Sequence, residues 1–174
     1  MLTFKGHEKF VVEILRKIPA EAKRLQRSRS RDQKGERRCW TKAVKEAFFA
    51  AKEKPKYKKI VDFYGTRPGC REWLLDAVWY VENKGGLVAV ESELGYHVEG
   101  IKFDFSKLLS FKAPLKIMIV DTGRREPAKL LQAIEEYARS FRQHQPGEVY
   151  YLIDFHNSRH DVYREFSASV RDAI

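Results

Sequence analysis

This sequence predicts an α/β fold with a mixed central sheet flanked by helices, on three observations. Two β-rich segments, EWLLDAVWYV (residues 72–81) and GLVAVESEL (residues 86–94), are joined by NKGG, which is turn chemistry suited to an antiparallel hairpin. Further on, LKIMIVD (115–121) and EVYYLIDF (148–155) read as buried strands with a long helix between them, and a strand–helix–strand crossover favours parallel pairing. Helical periodicity fills most of the chain before the hairpin.

Each element has its own signal. Over residues 6–26, Phe10, Val11, Ile14, Leu15, Ile18, Ala22 and Leu25 recur at three- and four-residue steps, which predicts helix, with Pro19 starting a new turn or imposing a kink. Residues 28–38 (SRSRDQKGERR) hold no apolar side chain and read as a basic connecting loop. A second helix is expected over 41–54, with Val44, Ala47, Phe48 and Ala51 on one face, Trp40 at its entry and Pro55 as its stop. The turn-rich GTRPG of residues 65–69 leads into the hairpin. After it come a short helix over 104–113, the strand at 115–121, a long helix over 127–142, the strand at 148–155 and a helical tail from residue 158. A chain of 174 residues with 43% apolar content suits one domain, read as a core over 41–155, an N-terminal helical and basic extension over 1–40, and a C-terminal helix over 156–174.

Composition narrows the function classes. No apolar run approaches the roughly 18 residues of a membrane span, so a soluble, cytoplasmic chain with no membrane partner is expected. Cys39 and Cys70 make neither a disulfide framework nor a four-ligand metal set, and read as reduced structural residues. The net charge of +10 is concentrated: residues 23–59 hold 15 Lys/Arg against 4 Asp/Glu. Such a field attracts polyanions through counterion release, and the same run also suits a solvated helix face. Arg27, Arg29, Arg31, Lys34, Arg37 and Arg38 are the candidate nucleic-acid contacts in this segment, joined by Lys107 and Lys112 downstream.

The hairpin carries the chemistry. Alternation along a strand puts Glu91 and Glu93 on one face, and closure over residues 83–86 or over Lys84 and Gly85 sets Asp76 opposite Glu93. Three carboxylates among apolar neighbours repel one another and call for a cation, and hard oxygen donors suit Mg²⁺ or Mn²⁺. The structural alternative is that Glu91 or Glu93 faces solvent and pairs with a lysine such as Lys84. His156 and His160, four residues apart in FHNSRH, read as part of a helix-capping turn rather than as a zinc pair.

Asp76 together with Glu91-Ser92-Glu93 resembles the motif of the PD-(D/E)XK, or restriction-endonuclease-like, nuclease superfamily: an Asp near one core strand and an acid-x-Lys on the next. Glu93 stands where that motif has lysine, a replacement also found in some type II restriction endonucleases. The resemblance covers roughly residues 41–155 and implies a helix–three-strand–helix–strand core, Asp76 and Glu91 as metal ligands, and Glu93 as general base or second-metal ligand. It adds Glu46 as a candidate acid from the preceding helix, whose plain alternative is a solvent-facing glutamate. It also implies Mg²⁺-dependent (or Mn²⁺-dependent) cleavage of DNA in a restriction or defence setting, with a homodimer as the expected assembly. Lys107 and Lys112 are candidates to contact phosphate or to stand in for the missing lysine. The competing expectation is a nuclease-fold module that binds nucleic acid or a protein partner without cutting.

Overall fold

A computed structural model describes residues 7–26, 33–52, 62–64, 75–81, 85–94, 98–121, 127–145, 147–154 and 162–167. Three helices come first: α1 (His7–Leu15), α2 (Ile18–Gln26) and α3 (Gln33–Lys52). Pro19 sits at the second position of α2, where its missing N–H leaves no intrahelical bond unmade. The strands β1 (Asp62–Tyr64), β2 (Ala77–Val81) and β3 (Gly85–Glu93) follow, then α4 (Val98–Ser110), β4 (Leu115–Val120), α5 (Pro127–Arg139), β5 (Val149–Asp154) and β6 (Val162–Ser167).

The six strands form one mixed sheet in chain order. The β1–β2, β2–β3 and β5–β6 pairs are antiparallel, whereas β3–β4 and β4–β5 are parallel, each joined by a crossover helix. Burial divides the core into two layers. Val88, Val90, Ile117, Ile119 and Ile153 pack under α1–α3, while Ala89, Met118, Val120 and Leu152 pack under α4 and α5. The sheet is therefore covered on both faces, and β4 is buried along its whole length, as expected of a central parallel strand. The N-terminal helices supply Val11, Ile14, Ile18, Ala22 and Leu25 to the same layer as Phe48 of α3.

Four expectations change. Within the expected C-terminal helix, the described residues Val162–Ser167 form a strand, β6, where Val, Tyr and Phe favour extended pairing with β5. The expected loop over 28–38 is helical from Gln33 onward, because α3 extends through Arg37 and Arg38. The short helix starts six residues early, at Val98. A three-residue strand, β1, lies just before the turn-rich segment.

The hairpin register also differs. Val81 pairs with Gly85 and Tyr80 with Gly86, and an irregularity follows that leaves Trp79 opposite Val88 and Ala77 opposite Val90. Leu87 and Val88 consequently enter the same core layer, the mark of a bulge. Gly85 has φ of 87°, which lets the chain close at that point. Continued by one residue, this ladder sets Asp76 beside Glu91 and not Glu93. Asp76 itself precedes β2, and its carboxylate turns to the α3 side of the sheet, so the two acids do not share the one face that alternation predicts.

Candidate functional site

Asp76 and Glu91 meet where β2 begins and β3 approaches its C-terminal end. The Asp76 backbone N–H donates to Glu91 Oε2 at 3.0 Å. The Asp76 carboxylate accepts from the Ser92 backbone N–H at 2.9 Å and from the Ser92 hydroxyl at 2.6 Å. The two carboxylates are thus tied together through neighbouring residues of β3.

Each carboxylate also has an ammonium partner, from a different helical layer. Lys45 of α3 lies 3.2 Å from Asp76 Oδ1, and Lys107 of α4 donates to Glu91 Oε1 at 2.7 Å. Lys107 is in turn paired with Asp104, three residues back on α4. The alternation explains the division: Ser92 shares the face of Val88 and Val90, under α3, and Glu91 shares the face of Ala89, under α4. Glu93, the last residue of β3, is half-buried beside Val120.

Glu91 is only 4% exposed. That burial, with the nearby Asp76 charge, pushes its pKa up to about 8 against the opposing pull of Lys107. Burial disfavours the Lys107 ammonium, but hydrogen bonds to Asp104 and Glu91 more than offset it, so its pKa is raised. Burial thus favours the protonated form of Glu91 at neutral pH, with the Lys107 ammonium beside it.

Glu46 is engaged elsewhere: it pairs with Arg24 of α2 at 3.0 Å and with Lys42 at 3.4 Å. The α3 side chain that reaches Asp76 is its neighbour Lys45, which sequence reasoning missed. Its signal is weak but present, since Lys45 flanks the face of Val44 and Phe48 and is nearly buried. Lys107 was singled out and does enter the site, whereas Lys112 is exposed beyond α4. Lys34, Arg37 and Arg38 fall in the first turns of α3. Arg27, Arg29, Arg31, His156, His160 and Cys70 lie outside the described residues. Among the described residues, no group of three or more His, Cys, Asp or Glu side chains is arranged to hold a metal ion. Nor is any described helix long and apolar enough to cross a membrane.

A second polar cluster lies toward the start of β4 and β5. Lys116, 1% exposed, pairs with Glu148 at 2.9 Å, and Tyr150 donates to Glu148 at 2.8 Å. His144 Nδ1 lies 2.9 Å from the Tyr150 hydroxyl, and His144 Nε2 faces the Ala138 carbonyl at 2.7 Å, so Nε2 carries a hydrogen. Burial lowers the Lys116 pKa and raises that of Tyr150. With its members almost wholly enclosed, this network ties the end of α5 to β5.

Comparison of the chain with protein-family models, curated proteins and solved structures gives no match.

Proposed function

We propose that the chain is a Mg²⁺- or Mn²⁺-dependent endonuclease with a restriction-endonuclease-like core, hydrolysing phosphodiester bonds of DNA. The observation that carries this reading is the meeting of Asp76, Glu91 and Lys107: one acid just before β2, one on β3, and a lysine 2.7 Å from the second of them. The motif resembled by Glu91-Ser92-Glu93 has its lysine on the strand itself. Here α4 supplies that charge beside the same glutamate. The resemblance took the hairpin and β4 as its three strands, followed by α5 and β5; α4 interrupts that run, and the helix–three-strand–helix–strand order is met instead by α3, β1–β3, α4 and β4.

The donors suit a hard cation. Asp76 and Glu91 offer carboxylate oxygens, and Mg²⁺ is commonly held by one or two carboxylates with water and substrate phosphate completing its shell. When bound, such an ion stabilises charge on the phosphoryl group and lowers the pKa of a coordinated water. The chain's own residues do the rest. Ser92 and Lys45 fix the Asp76 carboxylate, while Lys107, steadied by Asp104, offers N–H donors to a phosphate oxygen or to the attacking water.

The test is incubation of plasmid DNA with the purified chain and Mg²⁺ or Mn²⁺. Nicking or linearisation that Asp76→Ala abolishes is the expected result; intact DNA under all conditions overturns the proposal. One observation favours a second reading, a non-cutting module that binds nucleic acid: both carboxylates already have ammonium partners. Calorimetry separates the two readings. Salt-sensitive DNA binding without Mg²⁺ or Mn²⁺ binding supports the second.

A further inference from the structure

We propose that Lys45 is a resident counter-ion that gates the carboxylate site, an ammonium that a divalent ion must displace from Asp76; this rests on the reading of Asp76 and Glu91 as metal ligands. A carboxylate offers about four lone-pair positions, shared equally between its oxygens. Those on Asp76 Oδ2 are taken by the Ser92 backbone N–H at 2.9 Å and the Ser92 hydroxyl at 2.6 Å. Oδ1 is therefore the oxygen left for an ion, and it is the one that Lys45 Nζ faces at 3.2 Å. An ion held about 2.1 Å from that oxygen would share it with a like charge, so ion and ammonium exclude one another.

The two ammonium partners of the site are not equivalent. Lys107 is gripped from two sides, by Glu91 Oε1 at 2.7 Å and by Asp104, and these bonds raise its pKa in spite of its burial. Lys45 stands farther from its carboxylate, and the Asp76 side chain keeps 13% of its surface exposed against 5% for Glu91. A hydrated ion thus meets Asp76 first. Lys45 can give way while α3 stays in place, because a lysine stem can lie along apolar surface and carry its charge out to water.

The contact has two consequences. Without Lys45, Asp76 would lose a counter-charge at a largely enclosed position, which costs stability in the metal-free chain. With Lys45 in place, an ion binds only by the surplus of its attraction over that of the ammonium. The lysine that steadies Asp76 therefore also sets the metal concentration at which the site fills.

Calorimetric titration of the full, metal-free chain with Mn²⁺ tests the gate without reference to cleavage. Lys45→Met should tighten Mn²⁺ binding at least about tenfold, and Lys45→Arg, which keeps the charge, should bind no tighter than wild type. In wild type, Mg²⁺ should shift the ε-methylene NMR signal of Lys45, assigned by its absence from Lys45→Arg; this decides the matter even where Lys45→Met does not fold. Equal affinity in wild type and Lys45→Met, the same tightening by Lys45→Arg, or a Lys45 signal that Mg²⁺ leaves unmoved overturns the gate. DNA cleavage alongside any of these leaves the nuclease reading standing. Tighter Mn²⁺ binding by Lys45→Met, with no cleavage by either chain, upholds the gate and sinks the nuclease reading. No Mn²⁺ binding by any of the three chains overturns both.

Discussion

Replacing Glu91 by glutamine keeps the size of a buried side chain and removes its proton equilibrium. In the folded chain the Glu91 pKa stands near 8, against an ordinary value of 4.5. Between those values the unfolded chain has released a proton that the folded chain still holds, so stability falls as pH rises through the window and levels off above about 8. Each unit of pKa difference corresponds to about 1.4 kcal/mol, so this group removes ~3 kcal/mol of stability between pH 5 and pH 8. Urea denaturation of wild type and Glu91→Gln at pH 5, 6, 7 and 8 isolates it, since the other titrating groups are shared. Wild type should lose stability relative to the variant at each step. A difference that stays flat, or that grows in favour of wild type with rising pH, would refute the account of a desolvated carboxyl at this position.

Three further outcomes follow from particular contacts. Lys107→Met should reduce DNA cleavage at least ~100-fold, and adding Glu93→Lys should recover part of that loss by returning the ammonium to the strand; initial rates on a supercoiled plasmid check both. Gly86→Ala should cost about 1–3 kcal/mol in urea unfolding, because a Cβ there would stand 2.6 Å from the Phe111 ring and 2.7 Å from the Lys112 carbonyl oxygen. Tyr150→Phe should destabilise by about 1–3 kcal/mol, measured as a lower urea midpoint, since the lost hydroxyl serves Lys116, Glu148 and His144 together.

The elements best read from sequence are those whose pattern is sustained. Leu115–Val120 and Val149–Asp154 are apolar runs bounded by polar residues, and the helix over Pro127–Arg139 repeats its buried Leu131, Ile134 and Ala138. The misses are short or non-local. β1 is three residues long, and β6 follows a segment whose Asn157 and Ser158 suggested a helix start. The hairpin register turned on Gly85 and on a bulge that puts Leu87 and Val88 in one core layer, a break that strict alternation does not anticipate.

The candidate site was legible in part. The hairpin brings Asp76 close to Glu91, but the sequence set Asp76 opposite Glu93 and on one face with both glutamates, whereas the side chains part to opposite layers. Their neutralisation by Lys45 and Lys107 was not legible, because it depends on two helices docking on opposite faces of the sheet. The positive charge beside the two acids comes from the chain's own lysines, the kind of partner that the structural alternative gave to Glu91. A lone Lys116 inside LKIMIVD was the overlooked sign of the second cluster, since a buried lysine requires partners, here Glu148 and Tyr150.

The central claim is that Asp76 and Glu91 hold a divalent ion, and a crystal soaked in Mn²⁺ tests it most directly. An anomalous peak about 2.1 Å from a carboxylate oxygen of each residue is the result expected. Asp76 still paired with Lys45 and Glu91 still paired with Lys107 at millimolar Mn²⁺, with no peak between them, would contradict it.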